Sequence, residues 1–156
     1  MATTFLLVED DPGDVALLKQ ALKDAAADIH IQTVNNGVDA ALYLKGEAKF
    51  ADRAKFPVPD VILLDIRMPL FDGFEFLEWL RNQAPAPQWR IPVVVLSSSD
   101  REEDIERVKS LGANAHVVKS SRWSEYKERV CSTVKKWALP NPAPGPKANH
   151  RIRGKK

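Results

Sequence analysis

"VILLDIRMP", residues 61–69, runs four apolar residues straight into a carboxylate, Asp65, and breaks at Pro69. A short, continuous apolar run is the pattern of a strand covered on both faces, as at the centre of a parallel sheet. The acid at its end has a reason in that setting, because open parallel sheets bind ligands just outside the carboxyl ends of their strands.

Working outward, "TFLLV" (4–8) and "PVVVL" (92–96) repeat the buried-strand pattern. "IHIQTV" (29–34) alternates apolar and polar, as an edge strand exposed on one side should, and "AHVV" (115–118) reads as the other edge. Helical stripes lie between them. Val15, Leu18, Leu22 and Ala25 share one face, as do Ile105, Val108 and Leu111, and Trp123, Tyr126, Val130, Val134 and Trp137. Asp11 before Pro12, with Asp14 three residues on, is a helix start, and Asp72 with Glu75 predicts a capping box before "FEFLEWL". Gly112 is placed to end the fourth helix. The order βαβαβαβαβα, with right-handed crossovers, predicts an α/β doubly wound sandwich on a five-stranded parallel sheet. Residues 45–60 exceed the usual connection and are read as an extension of the second helix plus a loop.

Composition sets the bounds. A chain of 156 residues, 44% apolar and 28% charged, suits one soluble domain, expected over 1–137. No apolar run approaches the roughly 20 residues that cross a bilayer. The start of the chain lacks a signal-type pattern, and one cysteine, Cys131, makes no internal disulfide, so the expected location is cytoplasmic. Residues 138–156 hold Lys147, Arg151, Arg153, Lys155 and Lys156, no acid, and four prolines. They are expected to be a disordered basic tail, read as a solubilising end in preference to a nucleic-acid or membrane contact. Residues 1–137 then carry 18 basic against 21 acidic residues.

The strand ends collect chemistry. Strand 1 ends into Glu9, Asp10 and Asp11, strand 3 at Asp65, strand 4 at Ser97 with Ser98 and Ser99 behind it, and strand 5 at Lys119. Clustered carboxylates repel one another unless a cation joins them. A hard ion such as Mg2+ takes carboxylates, waters and phosphate oxygens. Asp65 is then a candidate nucleophile toward phosphorus, with Ser97 and Lys119 as donors to phosphoryl oxygens. Asp11 is assigned chiefly to capping, and His116, with apolar neighbours, reads as a partly buried polar residue.

The stretches "LLVEDDPGD", "VILLDIRMPLFDG", "IPVVVLSSSD" and "LGANAHVVKS" resemble a response-regulator receiver domain over about residues 3–137. The resemblance implies a flavodoxin-like fold with sheet order 2-1-3-4-5, and phosphoryl transfer to Asp65 from a sensor histidine kinase or a phosphotransfer protein. It implies that Glu9, Asp10, Asp65 and the backbone carbonyl of Arg67 hold Mg2+, that Ser97 and His116 occupy the switch positions, and that Lys119 binds the phosphoryl group. It further implies a self-phosphorylating and self-dephosphorylating switch in place of a classical enzyme, with a partner or homodimer face built from helix 4, strand 5 and helix 5. Trp123, Tyr126 and Trp137 would join that face if exposed. Ser120 stands where proline, often after a cis bond, usually follows the lysine, which predicts a differently shaped loop. Lys119-Ser120, the 45–60 segment and the tail are similar to small regulators that partner phytochrome-type kinases. The alternative is a degenerate receiver that binds partners without phosphorylation. A dehalogenase-type phosphohydrolase fits poorly, because it needs an acid where Arg67 stands.

Overall fold

The computed structural model describes residues 3–25, 28–68 and 70–138. Five strands, β1 (Thr3–Val8), β2 (Ile29–Val34), β3 (Val61–Asp65), β4 (Val93–Ser97) and β5 (Ala115–Val118), alternate with α1 (Pro12–Ala25), α2 (Gly37–Lys45), α3 (Gly73–Gln83), α4 (Glu102–Ser110) and α5 (Trp123–Ala138). The strands form one parallel sheet in the order β2-β1-β3-β4-β5. The edges are the two strands expected there, while β1, β3 and β4 are buried almost throughout.

Alternation along each strand sends side chains to two separate layers. On one face Leu6, Val8, Ile62, Leu64, Val93 and Val95 pack with Tyr43, Phe76, Leu80 and Val108 from α2, α3 and α4. On the other, Phe5, Leu7, Val61, Leu63, Val94 and Leu96 meet Leu18 and Leu22 of α1 and Val130 and Val134 of α5. Each such side chain, fully buried, contributes about 1.5–3 kcal/mol of transfer free energy.

The caps fall where the sequence predicts them. Asp11 Oδ1 accepts from the amides of Gly13 (2.8 Å) and Asp14 (3.3 Å) at the start of α1. Asp72 and Glu75 form a reciprocal capping box at α3, with bonds of 2.9 and 3.0 Å. After α4, Gly112 takes φ 108°, and a Cβ there would stand 2.6 Å from Arg81 Cγ, so both backbone and space demand glycine.

The 45–60 segment differs from expectation, because α2 is not extended. Gly46 closes it in the left-handed conformation (φ 69°), and Arg53 folds back to donate to Tyr43 O (2.8 Å) and Leu44 O (2.7 Å), the last carbonyls of the helix. A 3-10 turn over Ala48–Phe50 follows, and Tyr43, Phe50 and Phe56 cluster with Phe56 edge-on to the other two rings. The condition set for the aromatic stripe of α5, that its rings be exposed, is not met. Tyr126 is buried, and Trp123 and Trp137 are half-buried against the layer shared with α1. The expected basic tail, beyond residue 138, lies outside the described residues.

Candidate functional site

Register brings the strand ends to one level. Val8 pairs with Leu64 and Asp65 with Leu96, so Glu9, one residue beyond β1, comes level with Asp65. Ser97 pairs with Val118, and the Lys119 amide continues that ladder by donating to Ser97 O at 2.7 Å. Four neighbouring strands thus deliver their terminal side chains to one rim.

At that rim Glu9, Asp10 and Asp65 each present an oxygen within 4.8 Å of the others. Glu9 and Asp65 are buried and Asp10 is exposed. Lys119 Nζ donates to Glu9 Oε1 and to Asp14 Oδ2, both at 3.0 Å, and stands 3.8 Å from Asp65 Oδ1. Asp65 Oδ1 also accepts from the Arg67 amide at 3.3 Å, and Glu9 Oε2 from the Asp11 amide at 3.2 Å. Beside them a cleft of about 350 Å³ is lined by Asp10, Ile66, Arg67, Met68, Asp72 and Phe74.

The electrostatics follow from burial. Removal from water, then the Asp65 charge, pushes the Glu9 carboxyl up to about 7. Burial raises Asp65 as well, against the pull of Lys119. Burial would depress the Lys119 ammonium, but Asp65, Glu9 and Asp14 outweigh it and hold its pKa above the ordinary value. Lys119 faces three acids, and Asp10 adds a fourth to the cluster. A set of hard oxygen donors with excess negative charge fits a divalent cation.

The remaining candidates sort by position. β4 runs through Ser97, whose buried hydroxyl accepts from the Ser99 amide at 3.0 Å, while Ser98 and Ser99 lie beyond the strand. His116 lies on β5, half-buried, and burial lowers its pKa. Arg67 is exposed on the rim. Asp11 is held by its capping bonds. The only cis peptide among the described residues is Ala86–Pro87, so Lys119–Ser120 is trans, and Ser120 Oγ accepts from the Arg122 amide at 3.0 Å. Two residues went unassigned in the sequence. Asp14, read only as part of a helix start, is a direct partner of Lys119, and Arg81, with no motif to mark it, is completely buried.

Comparison with known proteins places this geometry. The family model described as "Response regulator receiver domain" matches residues 5–131. Response regulator Rcp1 of Synechocystis sp. is 33% identical over 115 residues, 74% of this chain and 75% of that protein. The crystal structure of the phosphorylated cyanobacterial phytochrome response regulator RcpA superposes with a TM-score of 0.79 at 31% identity, covering 92% of this chain and 99% of that one. The Mn2+-bound form of Rcp1 gives a TM-score of 0.78 at 29% identity, over 90% and 99% of the two chains.

Proposed function

Because the chain belongs to the response-regulator receiver family of two-component signalling, we propose that Asp65 is its phosphoacceptor and that the donor is a phosphohistidine on a phytochrome-type sensor kinase or a phosphotransfer protein. The observation that carries this reading is the placement of a buried Asp65 at the rim, 3.8 Å from Lys119 Nζ and beside two further acids. One Asp65 oxygen attacks phosphorus, the O–P bond forms as the N–P bond breaks, and the histidine nitrogen leaves with the bonding pair. Lys119 neutralises charge on the phosphoryl oxygens. The Ser97 hydroxyl, which accepts from the Ser99 amide in the resting arrangement, turns inward to donate to the new phosphoryl group.

Glu9, Asp10, Asp65 and the Arg67 carbonyl would hold Mg2+, which when bound offsets the carboxylate charge and that of the incoming phosphoryl oxygens. Output is a shift between two arrangements of the surface over α4, β5 and α5, driven by nearly two added negative charges at Asp65. His116 on β5 belongs to that surface, which is also the proposed face for a downstream partner or a second copy of the chain. The buried Tyr126 is not part of it. Transfer and loss of the phosphoryl group are self-catalysed steps of the switch, not turnover of a substrate.

The test is intact mass after incubation with acetyl phosphate and Mg2+, beside Asp65→Asn and a metal-free control. One added phosphoryl group, lost in both controls, is expected. Failure of the wild type to gain mass and to bind beryllofluoride would overturn the reading.

A further inference from the structure

Lys119 also borders a cavity of about 170 Å³, which shares no lining residue with the acid cleft and is lined by Asp14, Leu17, Ser120, Ser121, Trp123 and Tyr126. Tyr126 is 5% exposed, and its hydroxyl has no hydrogen-bond partner among the described residues. A buried hydroxyl left unpaired is costly, and native proteins seldom carry one without a use for it. Burial first, then the charges of Asp14, Glu9 and Asp65 against the pull of Lys119, raises its pKa, so at neutral pH it is a donor in need of an acceptor.

The nearest use is Asp14. The Lys119 ammonium donates to Glu9 and to Asp14 at 3.0 Å each, and closing on a group at Asp65 stretches that pair of bonds. Asp65 at 3.8 Å is outside hydrogen-bond range. A phosphoryl group on Asp65 brings up to two charges and three acceptor oxygens toward that ammonium. Of the two present partners, Glu9 is buried with a side chain 1% exposed, whereas Asp14, on the first turn of α1, is 34% exposed and has water to replace a lost donor. Asp14 is therefore the partner that yields.

We propose that Asp14 is a positioning residue for Lys119, holding the ammonium in the resting protein and handing it to the phosphoryl group while the Tyr126 hydroxyl takes Lys119's place as Asp14's donor. The inference rests on Asp65 being the phosphoacceptor. Asp14 competes for the lysine, and Tyr126 compensates for its release, so the pair sets how readily the phosphorylated arrangement is reached.

The two residues should be coupled in a way no packing role would mimic. Beryllofluoride with Mg2+ serves as the phosphoryl probe, followed by tryptophan fluorescence, since Trp123 lines the cavity. Tyr126→Phe is expected to weaken probe binding about fivefold, the worth of one ordinary hydrogen bond. It should leave the melting temperature of the resting protein unchanged or raised, because the lost hydroxyl was unpaired. Adding Asp14→Ala to Tyr126→Phe is expected to restore binding, since the competitor for Lys119 is gone. Made on Asp14→Ala alone, Tyr126→Phe is expected to change nothing. Alanine is well tolerated on a helix surface, so the fold survives the substitution. Equal weakening by Tyr126→Phe in both backgrounds, or no recovery in the double variant, would overturn the proposal. If the wild type itself does not bind the probe, the phosphoacceptor reading falls and takes this inference with it.

Discussion

Replacing the central acid should make the metal-free protein more stable. Glu9, Asp10 and Asp65 stand within 4.8 Å of one another, and Lys119 Nζ is 3.8 Å from Asp65 Oδ1. At an effective dielectric of about 20, each like-charge pair at that separation repels by about 3.5 kcal/mol, so Asp65 meets about 7 kcal/mol from its two neighbours. The lysine returns about 4.4 kcal/mol. The balance of about 2.5 kcal/mol against the Asp65 charge shrinks to about 1–2 kcal/mol once solvent screening of the exposed Asp10 is allowed for. Asp65→Asn removes that charge and keeps the shape. Melted in excess EDTA at about pH 8, above the Glu9 value of about 7, the variant should exceed wild type by about 3–6 °C. In excess Mg2+ wild type should gain more than the variant, which has lost an anionic ligand. A variant no more stable than wild type in EDTA would show that Lys119 already balances the cluster. It would remove the electrostatic reason for a cation there.

Glu9 carries a pH signature in the same metal-free protein. Its folded pKa of about 7 lies above its ordinary 4.5, so it holds its proton more tightly when folded. That stabilisation is complete below about pH 4.5 and is lost as the pH rises through about 7. The melting temperature in EDTA should fall across that window and Glu9→Gln should flatten the fall; an unaltered profile would rule Glu9 out as its source. Gly73→Ala puts a Cβ 2.5 Å from Ile66 Cα and 2.8 Å from Asp65 O. Denaturant unfolding should show a loss of about 1–3 kcal/mol, and acetyl-phosphate labelling should slow as the Asp65 backbone shifts. Arg81→Met removes the donor to the carbonyls of Gly112 and Ile91, and the same titration should show a loss of about 3 kcal/mol or more. Arg67, exposed beside Asp65, is expected to shield the acyl phosphate from water. Arg67→Asn should shorten its lifetime in a phosphate-release assay, and unchanged decay would refute the role.

Strands were the most legible part of the sequence. β1, β3 and β4 are buried on both faces, so each carries an unbroken apolar run (5–8, 61–64 and 93–96), and no partner residue need be known to see them. Caps were legible because they are local: Asp11 and Asp72 meet amides two or three residues away. The site was legible in outline for a related reason, since each member ends a strand and the topology brings strand ends together. What stayed hidden was long-range and polar. Asp14 meets Lys119 across 105 positions, and Arg81 meets Gly112 across 31. Neither pairing leaves a periodic trace. The mistaken extension of α2 has the same origin, because Arg53, nine and ten residues downstream, takes up its last carbonyls. The stripe on α5 showed that one face is apolar but not what covers it, and the sheet and α1 cover it together.

Arg81 has a consequence for how the domain opens. Its guanidinium joins the connection before β4, through Trp89 and Ile91 (2.8 and 2.9 Å), to the turn before β5, through Gly112 and Asn114 (2.9 and 2.8 Å). Asn114 Oδ1 in turn accepts from the Val93 amide at 2.9 Å. These two segments cannot fray independently, because releasing either strands a buried cation. Amide protons at the amino ends of β4 and β5 should therefore exchange with solvent only when the whole domain opens, as one cooperative unit. The sheet is clamped at the end remote from the acids, which leaves the loops at its carboxyl end as the place where local opening occurs at low free energy.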